Sequence, residues 1–148
     1  MKIKIKLLVL VLLILPGCIL VPAMDSVRRA GLTESSRQGL LPESLKKFNE
    51  AMQWGNPQEA LGYVDDANQE GIALQLQDLA EQEKVVEAKI VGIDFKENAF
   101  KAIVNVTVRA YKVPFYVVKD RKEKQTWRFS VSDGWKMQTR EVANSKPT

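Results

Sequence analysis

The chain has 148 residues, of which 45% are hydrophobic and 27% are charged, and this is the size and composition of one globular domain. It contains no histidine and a single cysteine, Cys18. These counts exclude an intramolecular disulfide and the catalytic pairs in which an imidazole base activates a serine or cysteine. Zinc and copper sites also lose their commonest ligand, so we expect no metal and no cofactor.

The beginning of the chain is typical of an export signal. Three lysines lie within the first six residues, and the aliphatic run Leu7–Leu15 follows them. A run of nine apolar residues is too short to cross a bilayer core, which takes about twenty residues. The small Gly17 would allow cleavage directly before Cys18. Residues 1–17 are therefore predicted to be a signal peptide.

The segment Leu15-Pro16-Gly17-Cys18 resembles the lipobox of bacterial lipoproteins. The resemblance implies that Cys18 receives a diacylglycerol, with palmitate among the expected acyl chains, and that this lipid holds the protein on a membrane. In enteric bacteria an aspartate directly after the lipidated cysteine resembles the inner-membrane retention signal, and this chain has Ile19 at that position. We therefore expect the outer membrane, facing the periplasm, in a Gram-negative cell, and the outer face of the plasma membrane in a Gram-positive one.

Residues 18–41 contain scattered proline and glycine around a polar stretch, so we predict a lipidated tether. A globular domain is expected over residues 42–142, followed by a disordered tail over residues 143–148. The first half of this domain has helical periodicity. Pro42 and Asn56 mark two predicted helix starts, and a third amphipathic helix is predicted to end near Glu83.

After Lys84 the apolar residues alternate with polar ones, as in antiparallel strands. A change of phase predicts a β-bulge at Gly92, and the segment Lys96–Asn98 is predicted to be a hairpin turn. A long strand follows over Phe100–Tyr111.

The last third of the chain contains further strand and turn signals. Pro114 places the apolar segment Val113–Val118 at a sheet edge or in a hairpin extension. The charged run Lys119–Lys124 is predicted to be a turn, and Asp133-Gly134 a two-residue hairpin before a short last strand.

Helices followed by strands predict an α+β domain, with N-terminal helices packed on a curved antiparallel sheet of about four strands. The order of these elements, with the late Asp133-Gly134-Trp135 hairpin, resembles the nuclear-transport-factor-like cone fold, also called ketosteroid-isomerase-like or SnoaL-like. A cystatin-like arrangement, with one long helix on a sheet, is the alternative.

The resemblance implies a cone-shaped pocket, for which the candidate lining residues are Tyr111, Trp127, Phe129 and Trp135. Large residues at period two on an inward face are also what a packed core contains. Enzymes of this fold use a buried aspartate or an Asp-His pair together with a tyrosine. The candidates in this sequence are Asp65, Asp66, Asp94, Tyr63, Tyr111 and Tyr116, and Asp94 lies beside the predicted bulge. No motif in the sequence indicates a particular reaction, so no catalytic residue is assigned and no enzymatic activity is expected.

Charge is divided along the chain. Without the first seventeen residues, the chain contains 19 basic and 18 acidic residues. Residues 19–83 carry a net charge of −6, and residues 84–148 carry a net charge of +7. The later half could present a basic face or a solvated sheet surface. For an exported protein we expect no nucleic-acid partner, and contact with anionic lipid head groups stays open.

These features favour a membrane-anchored, non-enzymatic interaction or accessory module of the cell envelope with a protein partner. The alternative is a carrier of a small apolar ligand in the cone-shaped pocket. A third hypothesis is an isomerase- or dehydratase-like pocket enzyme. The carrier depends on an open pocket, whereas the interaction module depends on an exposed surface.

Overall fold

The computed structural model of the chain describes residue 26 and residues 30–143. The predicted signal peptide, Cys18 and the end of the predicted tail lie outside the described residues. The described chain begins with helices, which are α1 (Glu34–Gln53), α2 (Pro57–Leu61), a 3-10 turn (Asp66–Asn68) and α3 (Gln69–Gln82). Four strands follow, which are β1 (Glu83–Lys96), β2 (Lys101–Lys112), β3 (Val118–Ser130) and β4 (Gly134–Ala143).

The strands form one antiparallel sheet in the order β1-β2-β3-β4, and the helices cover its inner face. The predicted α+β class, with helices on a curved sheet of four strands, is confirmed. The core lies between the two layers. At its centre Phe48 of α1 meets Trp127 of β3 edge to face, with ring centroids 5.9 Å apart.

Helix α1 begins at Glu34, so the predicted start at Pro42 is wrong. The Thr33 hydroxyl caps the helix by accepting a hydrogen bond from the Ser36 amide at 3.2 Å. The first two turns also bury Arg37 and Leu41. Residues 34–41 of the predicted tether therefore belong to the domain, and Pro42 lies inside the helix on its exposed side.

The start of α2 is as predicted. Asn56 caps the helix by accepting a hydrogen bond from the Glu59 amide at 3.2 Å, and Pro57 occupies the first turn. Helix α3 ends at Gln82, one residue before the predicted end.

Strand β1 has two irregularities, between Val85 and Glu87 and between Ile90 and Gly92, and the second confirms the bulge predicted at Gly92. The hairpin between β1 and β2 is also confirmed, and three consecutive residues after Lys96 have positive φ there. The predicted turn over Lys119–Lys124 is wrong, because these residues lie within β3. Strand β4 continues to Ala143 and is longer than predicted.

The two ends of the sheet differ. At one end, called the turn end, lie the β1–β2 turn, the β3–β4 turn and the start of α1, where Arg37 donates to the Asn98 carbonyl at 2.7 Å. At the other end, called the open end, lie the β2–β3 hairpin, the end of α3 and the end of β4. No helix within residues 30–143 is both long and apolar enough to cross a membrane.

Candidate binding groove at the open end of the sheet

The β2–β3 hairpin carries an exposed apolar tip, defined as residues 113–117. Phe115 is 76% exposed and Val117 is 59% exposed, although both are large apolar side chains. Tyr116 of the tip packs against Tyr111, with ring centroids 5.5 Å apart, whereas Phe115 and Val117 stay largely uncovered. Contiguous exposed apolar surface of this kind marks an interaction site more often than a free surface.

A groove of about 830 Å³ lies beside this tip at the mouth of the sheet. Its apolar lining includes Phe115 and Val117 of the tip, Leu79 of α3 and Val142 of β4. Lys112, Lys119 and Asp120 also line it, on the two strands that lead to the tip. The groove thus combines an apolar lining with two lysines and one aspartate.

The floor of the groove reaches a buried charge cluster of Glu83, Arg121, Glu123 and Arg140. The Glu123 carboxylate accepts from Arg140 Nε at 2.9 Å and from Arg121 Nε at 2.8 Å. Arg121 also pairs with Glu83, the first residue of β1. Two arginines and two glutamates compensate each other, so the cluster has no net charge.

Adjacent strands place this cluster by register. Glu123 and Arg121 are two residues apart on β3, so both point to the inner face, whereas Lys122 between them points outward. Gln125, the next inward residue, donates to Glu123 at 3.2 Å and accepts from the Trp127 indole at 3.0 Å. A hydrogen-bonded chain therefore runs from the groove to the centre of the core.

Burial and charge act in opposite directions on Glu123. Burial raises the pKa of its carboxyl group, but the attraction and hydrogen bonds of Arg140 and Arg121 outweigh burial and hold this pKa below its ordinary value. Glu123 is thus ionised at neutral pH. Burial also lowers the pKa of Arg121, against the opposing influence of Glu123.

Arg140 has one free donor. Its side chain is 2% exposed, and its Nη1 atom has no hydrogen-bond partner among residues 30–143. Beside the cluster is a cavity of about 10 Å³, lined by Phe48, Val108 and Arg140 among others. That volume suits about one water molecule, and a water there would complete the hydrogen bonds of Arg140.

The chemistry of the groove favours binding. Glu83 and Arg121, the charged residues at its floor, are engaged with each other, and the residues that line it include no serine, threonine or cysteine beside a base. Across residues 30–143 no three histidine, cysteine or acidic side chains lie close enough together to hold a metal ion. An apolar lining beside the amino groups of Lys112 and Lys119 fits an apolar or amphiphilic partner.

The four residues predicted to line a pocket lie in different places. Trp127 is fully buried in the core. Phe129 and Trp135 pack against each other, with centroids 5.6 Å apart, beside an open cavity of about 330 Å³ at the turn end. Tyr111 lies on the outer face of the sheet with its ring 5.5 Å from that of Tyr116. None of the four lines the groove.

The acidic candidates lie away from the groove. The Asp94 carboxylate is 58% exposed and pairs with Lys96 at 2.9 Å on the outer face. Asp65 and Asp66 lie at the start of the 3-10 turn, near the turn end. A reaction at Asp94 thus gains no support from its surroundings.

Sequence reasoning missed the buried charge cluster and the groove above it. The available signal was the alternation within Lys119–Lys124, where Arg121 and Glu123 share one phase with Lys119 and the remaining residues take the other. Two opposite charges at period two are compatible with an inward-facing ion pair. Their inward orientation depends on Glu83 and Arg140, which lie far away in the sequence.

No protein-family model and no curated protein matches the chain. Among solved structures, the chain is similar to a SEC-C motif containing protein from Rhodopseudomonas palustris, with 12% identity, a TM-score of 0.53 and coverage of 64% of this chain and 72% of that one. It is also similar to the intermembrane space region of the chloroplast protein ARC6, with 13% identity, a TM-score of 0.49 and coverage of 70% and 93%. At 12% identity, the first likeness concerns the fold alone.

Proposed function

We propose that the chain is a lipoprotein anchored at the cell envelope through Cys18, and that it acts as a non-enzymatic interaction module. Its binding site is the groove at the open end, and its partner is an apolar segment of another envelope protein. The observation that carries this proposal is the exposed apolar tip, residues 113–117, beside the groove.

Energetics support a docking role for the tip. Covering a side chain such as Phe115 or Val117 contributes about 1.5–3 kcal/mol when burial is complete. A partner that fills the groove would bury both side chains together with Leu79. Strand β4 is also the last strand of the sheet, and beyond Met137 its outer edge pairs with no described strand. An extended partner segment could add to this edge beside the groove.

The position of the groove suits a tethered protein. The described domain begins at the turn end, where residue 30 lies beside the cavity that contains Phe129. The groove is at the opposite end of the sheet from residue 30. The likeness to the nuclear-transport-factor-like fold stays a prediction.

The anchor is tested by mass spectrometry of the amino-terminal peptide of the protein purified from membranes. We expect a peptide that starts at Cys18 and carries a diacylglycerol, and a Cys18→Ser protein that keeps its signal peptide. An unmodified Cys18 in the membrane-purified protein would rule out the anchor.

The groove is tested by crosslinking in intact cells followed by affinity capture. The variant Phe115→Ser/Val117→Ser removes two apolar side chains from the groove lining, and Val131→Ser, which changes a 64% exposed valine at the turn end, is the control. We expect a partner that is captured with the wild type and the control but is lost with the double variant. Equal capture by all three proteins would contradict docking in the groove.

A second candidate function is the carriage of a small apolar ligand in the same groove. It is favoured by the groove volume of about 830 Å³, which lies within the range of small-molecule sites. A long-chain fatty acid should then raise the melting temperature of the wild type and leave that of Phe115→Ser/Val117→Ser unchanged. No stabilisation by fatty acids of any chain length would remove this candidate.

A further inference from the structure

Charge is segregated between the two layers of the domain. The helical segment 34–82 carries nine acidic and three basic residues. The opposite surface is the outer face, defined as the strand side chains that point away from the helices. Register places seven basic and four acidic residues on it, a net charge of +3, once Lys84 and Lys136 are left out because their amino groups lie beside Gly55 and Gly62 of the helical layer. The basic members are Lys89, Lys96, Lys101, Arg109, Lys122, Lys124 and Arg128.

Several of these basic side chains are not paired with an acidic one. Arg109 is engaged with Glu87 and Asp120 at 3.4 and 3.5 Å. The outer-face lysines that make no ion pair with another described residue are Lys89, Lys101, Lys122 and Lys124. Charged side chains of either sign keep a sheet surface hydrated, so hydration alone does not account for an excess of positive charge.

The outer face becomes aromatic and apolar at the open end. Tyr111 and Tyr116 place their ring centroids 5.5 Å apart, and Val118, which pairs with Tyr111, is 45% exposed. Tyrosine is enriched at membrane interfaces, where its ring lies among acyl chains and its hydroxyl among head groups. Here such side chains adjoin a field of lysines.

We propose that the outer face lies flat on an anionic phospholipid membrane, with Tyr111, Tyr116 and Val118 at the level of the head groups. Lysines near such a surface are attracted to its negative potential, and the acidic helices are repelled by it. Charge segregation thus selects one orientation of the domain. The inference rests on the proposed anchor only because the anchor keeps the domain near a bilayer.

Chain length permits this orientation. Strand β2 spans roughly 40 Å from the turn end to the open end, at about 3.4 Å per residue. Eleven residues lie between Cys18 and residue 30, so the chain from one to the other reaches at most about 40 Å. A domain standing on its open end would need the whole tether extended, whereas a domain lying on its sheet needs little of it.

The flat orientation leaves the groove accessible. Phe115 and Val117 line the groove, whereas Tyr116 packs against Tyr111 on the outer face. The hairpin thus has one side for the membrane and one for a partner. Docking on lipid and binding in the groove use different residues, so either can fail without the other.

The orientation is tested by photocrosslinking of the full processed protein on vesicles. A benzophenone amino acid replaces either Val118 on the outer face or Leu74, which is 64% exposed on α3. The vesicles consist of phosphatidylcholine with or without phosphatidylglycerol. We expect a phospholipid adduct from position 118 at several times the yield from position 74. We also expect this excess only on vesicles with phosphatidylglycerol, and its loss at high salt.

Charge variants give the second readout. Replacing Lys122 and Lys124 by glutamine should lower the ratio of docked to undocked domain about fivefold per lysine, while Lys46→Gln/Lys47→Gln on α1 leaves it unchanged. Equal adduct yields from positions 118 and 74 would overturn the proposal. So would a yield from position 118 that is indifferent to phosphatidylglycerol and to Lys122 and Lys124. The groove variant Phe115→Ser/Val117→Ser should keep the lipid adduct, which separates this test from that of the proposed partner.

Discussion

Glu123 holds two buried arginines, and its removal should be costly. The change Glu123→Gln keeps the shape of the side chain but leaves Arg121 and Arg140 without their shared counter-charge. Removing one partner of a buried ion pair costs about 3–5 kcal/mol. We expect a loss of that size in the free energy of unfolding measured in urea. The control Glu141→Gln, an exposed position on β4, should change it by about 0.5 kcal/mol or less.

The difference in the free energy of unfolding between the wild type and Glu123→Gln should depend on pH. Because the folded pKa of Glu123 is below its unfolded value of about 4.3, the stability that its charge provides is complete above that pH. It is lost as the pH falls through the folded pKa. The difference in unfolding free energy between wild type and Glu123→Gln should therefore be constant near neutral pH and shrink in acid. A difference that grows in acid would contradict the assignment.

Gly31 is a second residue whose identity the structure requires. Its φ is +64°, and a Cβ atom there would lie 2.2 Å from the Phe129 ring. We expect Gly31→Ala to lower the free energy of unfolding by about 1–3 kcal/mol. Gly39→Ala is a matched control, since Gly39 lies inside α1 with no atom near the added methyl group. It should stabilise the protein by about 0.5–1 kcal/mol, and equal effects of the two changes would refute this interpretation.

At the scale of elements, α1 carries an internal proline on its exposed side. Pro42 cannot donate the backbone hydrogen bond of its turn, and its ring crowds the preceding turn. Pro42→Ala should therefore raise the free energy of unfolding, by up to about 3 kcal/mol. Thermal unfolding of the two proteins measures this gain. An unchanged or lower melting temperature would mean that the packing of α1 depends on the proline.

The elements also differ in how well their sequence predicts them. Local signals were sufficient for the Asn56 cap of α2 and for the bulge at Gly92, because the residues that decide each one are close neighbours. The start of α1 was misplaced although its Thr33 cap is also a local signal, because Pro42 gave a competing one. The strand over Lys119–Lys124 was missed because it depends on ion pairs of its inward residues with Glu83 and Arg140, which lie outside a short window of sequence.

At the scale of the whole molecule, the layers have separate properties. The sequence predicted a division of charge between the two halves of the chain, and the fold turns this division into an acidic helical layer and a basic outer face. The sequence did not predict the groove, because this opening results from how α3, the β2–β3 hairpin and β4 pack together. The predicted pocket residues illustrate the same limit, since period two identifies inward-facing aromatic residues but not whether space remains beside them.

The proposed anchor and groove can be tested together in living cells. A benzophenone amino acid at position 117, in the groove lining, is photoactivated in cells that produce either the wild-type chain or its Cys18→Ser variant. We predict a discrete crosslinked protein that forms with Cys18 and is lost without it, while position 131 at the turn end gives none. No protein adduct from position 117, or the same adduct with Cys18→Ser, would contradict a tethered module that binds its partner in the groove.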